Sequence, residues 1–174
     1  MRRLISILAA GLLAAGTVLT TAGAASAGVT AVHRQLTCTN DGSNFFNVTK
    51  NGVNYFLGTP NNTFSGATAR LKPRENSTTL WLNCFSSTSN TVVLKNRGLA
   101  LTSRVSSSGA DVTLTPPGNG GNGFASQQWD FVSSGSTVTF QNVKTGLFLR
   151  VRNSGPIMGQ TVTTGFTATA WTFS

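Results

Sequence analysis

The sequence is poor in the groups that carry out chemistry. Its 174 residues include 4 Asp or Glu, 1 His and 2 Cys, and only 10% are charged, against roughly 25% in an ordinary soluble domain. General acid–base catalysis and metal binding both need several titratable side chains converging on one place. Asp41, Glu75, Asp111 and Asp130 are widely spaced, and His33 stands alone near the start of the chain. A carboxylate pair, a nucleophile–histidine–acid set or a metal cage therefore has almost no raw material. The expectation is a protein that is not an enzyme and uses no cofactor or metal. The glycine-rich stretch Gly118-Asn119-Gly120-Gly121-Asn122-Gly123 lacks the Lys and Ser/Thr of a phosphate loop.

What is present begins with a segment that does not belong to the fold. Met1-Arg2-Arg3 is positive, Leu4 to Leu19 is almost uninterruptedly apolar, and Ala25-Ser26-Ala27 has the small-x-small form of a signal-peptidase site. Residues 1–27 read as a secretory signal peptide, and 28–174 as one mature domain that is secreted and extracellular. A membrane anchor would want about 20 apolar residues and no cleavage site. No second apolar run follows, so no membrane span is expected after cleavage. Losing Arg2 and Arg3 leaves 11 of the 13 basic residues against 4 acids, a net charge of +7. Cys38 and Cys84 both lie in the mature part, and an even count in an exported chain predicts a disulfide. On the chain-entropy model, closing that loop stabilises the fold by about 4 kcal/mol.

Three copies of one pattern organise the rest. Gly52, Gly98 and Gly146 each sit in a short polar turn between apolar-patterned runs, which is a hairpin signal. A second glycine recurs at Gly66, Gly109 and Gly159, followed three residues later by Ala69, Val112 and Val162. Each copy closes on a tryptophan: Trp81, Trp129, Trp171. Val138-Thr139-Phe140 and Asp111-Val112-Thr113-Leu114-Thr115 alternate or cluster β-branched and aromatic residues, and no window keeps a helical period. The pattern predicts an all-β domain of three pseudo-symmetric repeats (about 36–85, 86–133 and 134–174), each of about four short strands, with the three tryptophans in the core. Threefold closure also removes unpaired strand edges.

Gln127-Gln128-Trp129, the segment from Asn142 to Leu149 and the threefold spacing resemble the ricin B-type β-trefoil lectins, whose copies carry a Gln-x-Trp signature. Leu80-Trp81 and Ala170-Trp171 lack the glutamine. The resemblance implies a β-trefoil and carbohydrate binding. In the sugar-binding copies of that family an Asp accepts bonds from sugar hydroxyls and an aromatic ring stacks on the sugar. By internal alignment the Asp position falls at Gly58, Thr102 and Arg150, and the aromatic near Lys72, Thr115 and Gly165, so the usual sugar site is expected to be missing from every copy. Phe64, Phe124 and Phe166 lie in irregular stretches and can serve as replacement platforms, although packing is the commoner fate of a Phe. Asn62, Asp111, Asn122, Gln127 and Gln160 are the nearby hydrogen-bond formers.

Positive charge stands where the lectin residues are missing. Arg70-Leu71-Lys72-Pro73-Arg74 spaces three cations at period two, which puts them on one face of an extended strand with Leu71 on the other. Arg150-Val151-Arg152 repeats the device, and Lys95 with Arg97 stands at the second turn. Such a surface attracts acidic polysaccharide, or nucleic acid nonspecifically, and it also serves solubility. The expected partner is a glycan or cell-surface polysaccharide, with anionic glycans favoured. Two alternatives stand beside it: an extracellular protein bound through the loop Pro116 to Gln127, as by a hydrolase inhibitor, or polyanions bound by electrostatics alone.

Overall fold

The glycine turns are hairpins of defined geometry. Asn51-Gly52 and Arg97-Gly98 are two-residue loops with φ of 53° and 75°, and 50° and 77°. Positive φ at both central residues is the turn whose twist matches that of the strands it joins, and it favours glycine. The structure, a computed structural model, describes residues 36–152, 156 and 158–174, all within one compact unit, Val32–Ser174. The expected signal peptide and His33 lie outside the described residues.

Twelve strands follow in order. They are β1 (Leu36–Lys50), β2 (Val53–Gly58), β3 (Arg70–Lys72), β4 (Leu80–Ser86), β5 (Thr91–Asn96), β6 (Leu99–Thr102), β7 (Thr113–Thr115), β8 (Trp129–Ser134), β9 (Thr137–Asn142), β10 (Phe148–Arg150), β11 (Thr163–Gly165) and β12 (Trp171–Phe173). β1, β4, β5, β8, β9 and β12 pair antiparallel in that sequence, and β12 returns to β1, closing a six-stranded barrel. Closure leaves the barrel without a free edge. The pairs β2–β3, β6–β7 and β10–β11 form three hairpins at one end. A barrel capped by three hairpins in three pseudo-symmetric copies is a β-trefoil.

The second glycine pattern has its reason at the cap. Ala69 N–H donates to the Val112 carbonyl, Val112 N–H to Val162 and Val162 N–H to Ala69, at 2.9, 3.0 and 2.9 Å, a closed ring of three bonds. Gly66, Gly109 and Gly159 donate around the same ring to Leu114, Thr164 and Leu71. Ala69, Val112 and Val162 are fully buried.

Trp81, Trp129 and Trp171 are each 0% exposed and share one core with Leu57, Leu101 and Leu149. Trp81 and Trp129 donate their Nε1–H to the carbonyls of Leu57 and Leu101, at 2.9 and 3.0 Å. Trp171 Nε1 has no partner among the described residues. Neighbouring copies are sewn together by buried amides: Asn96 Nδ2 donates to the carbonyls of Ser77 and Leu80, and Asn142 Nδ2 to those of Ser126 and Gln128. Cys38 and Cys84 face each other across β1 and β4 and are joined as a disulfide.

Candidate functional site

Strand register makes the three lectin-type positions equivalent. Gly58, Thr102 and Arg150 stand opposite Arg70, Thr113 and Thr163, while Lys72, Thr115 and Gly165 stand opposite Phe56, Ala100 and Phe148. In every copy the two residues of the would-be site touch each other. In the first, a Cβ on Gly58 would meet Lys72 Cγ at 2.7 Å, so the lysine stem covers the glycine. In the second, the Thr102 and Thr115 hydroxyls share a 2.7 Å hydrogen bond and both side chains are buried. In the third, a Cβ on Gly165 would meet Arg150 Cδ at 2.4 Å, so the arginine lies in the space left by the absent side chain.

An open, charged groove lies where the third copy meets the second. Ser108, Gly109, Arg150, Arg152 and Thr163 line a cavity of about 310 Å³. Arg150 Nη1 donates to Thr167 Oγ1 at 3.0 Å and its Nε to the Val151 carbonyl at 3.2 Å, which fixes the guanidinium across Gly165. Phe166 lies between Gly165 and Thr167 in the chain and is 75% exposed. Arg152 Nη2 reaches Thr161 Oγ1 at 3.2 Å and Asp111 Oδ1 at 3.3 Å. Both members of that ion pair are well exposed, so its Coulomb energy is small. Arg70 forms an isolated antiparallel bridge with Thr161, and Asp111 forms one with Thr163. A bridge puts the paired side chains on one face. The two basic stripes of the sequence, from the first and third copies, therefore meet at Thr161.

The other expected residues separate. β3 ends at Lys72, so Arg74 is not in the strand that was expected to align the three cations; it lies past the strand end, exposed. Lys72 Nζ and Arg97 Nη1 converge on Asn61, at 3.0 Å on its side-chain oxygen and 2.8 Å on its carbonyl, and Arg97 also holds Ser77. Lys95 points elsewhere, with its amine 3.4 Å from Cys38 Sγ, and partial burial lowers its pKa below the usual 10.5. Gln127 does not belong with the ligand-binding residues. It is 1% exposed, its Oε1 accepts from the Gly118 and Phe124 amides, and its Nε2 donates to Thr115 Oγ1 and the Pro116 carbonyl. All its capacity goes into holding the 116–127 loop.

Asn122 lies in the same loop and gives its carbonyl to Gln128 Nε2, while Gln160 is half-buried and gives its carbonyl to the Leu71 amide. Phe64 and Phe124 are exposed, as Phe166 is, against the ordinary expectation of burial; the Phe124 ring rests on Gly118, whose missing Cβ makes room for it. Thr161 and Thr167 went unnoticed in the sequence, because only their bonds to the arginines mark them. Among the described residues no group of three His, Cys, Asp or Glu comes together.

No protein-family model and no curated protein sequence matches the chain. Solved structures do. The chain is similar to ThreeFoil, a designed threefold-symmetric protein, at 19% identity over 75% of this chain and 96% of that one, with a TM-score of 0.62. It is similar to the Polyporus squamosus lectin bound to a human-type influenza-binding epitope, at 17% identity, 75% and 48% coverage and a TM-score of 0.57. The chain thus spans about half of that lectin's length. The Haemophilus ducreyi cytolethal distending toxin matches at 12% identity, 75% and 82% coverage and a TM-score of 0.59. At these identities the likeness is one of fold.

Proposed function

We propose that the protein is an exported, non-catalytic binding protein for anionic glycans, with its site in the third copy. The carrying observation is the groove of about 310 Å³ that Arg150 and Arg152 line, with Arg70 bridged to Thr161 and the exposed Phe166 next in the chain to the Thr167 that holds Arg150. A carboxylate or sulfate of the sugar would bind the guanidinium groups, whose planar forks suit such oxygens. An apolar sugar face would lie against the Phe166 ring. Lectins among the solved structures with this fold make carbohydrate a natural class of ligand, and the excess of 11 basic residues against 4 acids in the part beyond the leader supplies long-range attraction. The leader-like first segment and the disulfide support export.

The test is retention on dextran sulfate and on neutral dextran across a salt series. Retention on the sulfated matrix only, lost as salt rises, is expected, and Arg150→Ala with Arg152→Ala should move elution to markedly lower salt. No retention at low salt, or unchanged elution of the double variant, rejects the site. A second reading, an extracellular protein partner, rests on the loop that Gln127 pins and that presents the exposed Phe124. Phe124→Ala should then abolish capture of that partner while leaving glycan retention unchanged.

A further inference from the structure

The barrel end opposite the hairpins breaks the threefold pattern in one copy only. The residue two beyond each tryptophan faces the barrel interior: Phe131 opposite Phe140, Phe173 opposite Phe46, and Asn83 opposite Leu94. Two copies thus place a phenyl ring where the first places an asparagine. Asn44, opposite Trp81, likewise stands where Val92 and Val138 stand opposite the other tryptophans. A cavity of about 110 Å³ lies here, lined by Asn83 and by Phe46, Phe131, Phe140 and Phe173 among others. Its mouth opens beside the partly exposed Phe85 and Phe173.

Asn83 is 2% exposed, and its Oδ1 has no hydrogen-bond partner among the described residues. Buried polar atoms are nearly always paired, and an unpaired one costs about 1–3 kcal/mol. We propose that this cavity binds a small neutral aromatic molecule carrying one hydrogen-bond donor, of the phenol class. Apolar cavities of about 150 Å³ take up a benzene ring; this smaller one is open on one side, so a ring can enter with its outer edge in the mouth. The ring meets phenyl edges and faces, which favour edge-on contacts, and its hydroxyl donates to Asn83 Oδ1. The lining carries no charged side chain, so the anionic ligand of the Arg150 groove does not suit it.

The probes are phenol and toluene, titrated into the whole protein and followed by NMR at the Asn83 side-chain amide and by calorimetry. Phenol should bind saturably and about tenfold more tightly than toluene, the worth of one hydrogen bond. Asn83→Phe, which installs the residue of the other copies, should abolish binding of both. Asn83→Leu, which keeps space but removes the acceptor, should bring the two affinities level. Absence of saturable phenol binding, equal affinities in the unmodified protein, or phenol binding unchanged in Asn83→Phe would each overturn the proposal.

Discussion

In the second copy, Thr102 and Thr115 bond to each other and are buried, and Gln127 fills the space beside them with four hydrogen bonds. In the third copy the same two places hold Arg150 and Gly165, and the arginine lies over the glycine beside an open groove. The backbone is alike in both, with the same strand register and a tryptophan in the same core. A fixed frame thus carries either a sealed polar plug or a cationic groove, depending on one cross-strand pair and the loop behind it. The two positions change together because they touch: a long side chain at one is accommodated by a glycine at the other, as in Lys72 with Gly58 and Arg150 with Gly165.

That contrast can be broken at several points. The largest effect should come from Gln127→Ala, which takes the acceptor from the partly buried Gly118 and Phe124 amides and a donor from the Thr115 hydroxyl and the Pro116 carbonyl; a loss of about 3 kcal/mol is expected in urea unfolding. Next come the tryptophans. Trp129→Phe orphans the Leu101 carbonyl, whereas Trp171→Phe removes an indole N–H that already lacks a partner, so the former should be more destabilising by about 1–2 kcal/mol in thermal melts. Thr102→Val or Thr115→Val should each cost about 1 kcal/mol, while the double variant should fall well short of the sum, a non-additivity that a double-mutant cycle reads directly. The smallest effect belongs to the third copy: Asp111→Asn should change stability by under about 0.5 kcal/mol, yet raise the salt needed to elute the protein from dextran sulfate, because Arg152 loses its only ion pair among the described residues.

The sequence was readable where spacing does the work. Gly52, Gly98 and Gly146 mark hairpins because turn geometry is local, and the tryptophans mark copies because each must fill the same core. The equivalence of Gly58, Thr102 and Arg150 was legible for the same reason. The groove was legible only in pieces. Arg70 reaches Arg152 through Thr161, a bridge between distant segments that no local pattern announces. Gln127 was misread because a glutamine beside a flexible-looking loop gives no sign of how many amides its side chain will satisfy. Asn83 carried a usable signal: the residue two past each tryptophan is Asn, Phe and Phe. Its meaning depended on knowing that this position faces into a barrel.

The ring formed by Ala69, Val112 and Val162 has a consequence in time. Each copy gives one donor to a second copy and takes one from a third, so no two copies can complete the circuit. Every bond in it spans tens of residues, and contacts of such long range slow the search for the native state. Until the last quarter of the chain arrives, the first two hairpins hold open donors and acceptors at the centre of the cap, and buried groups of that kind do not stay unpaired. The ring is therefore complete only when all three copies are in place.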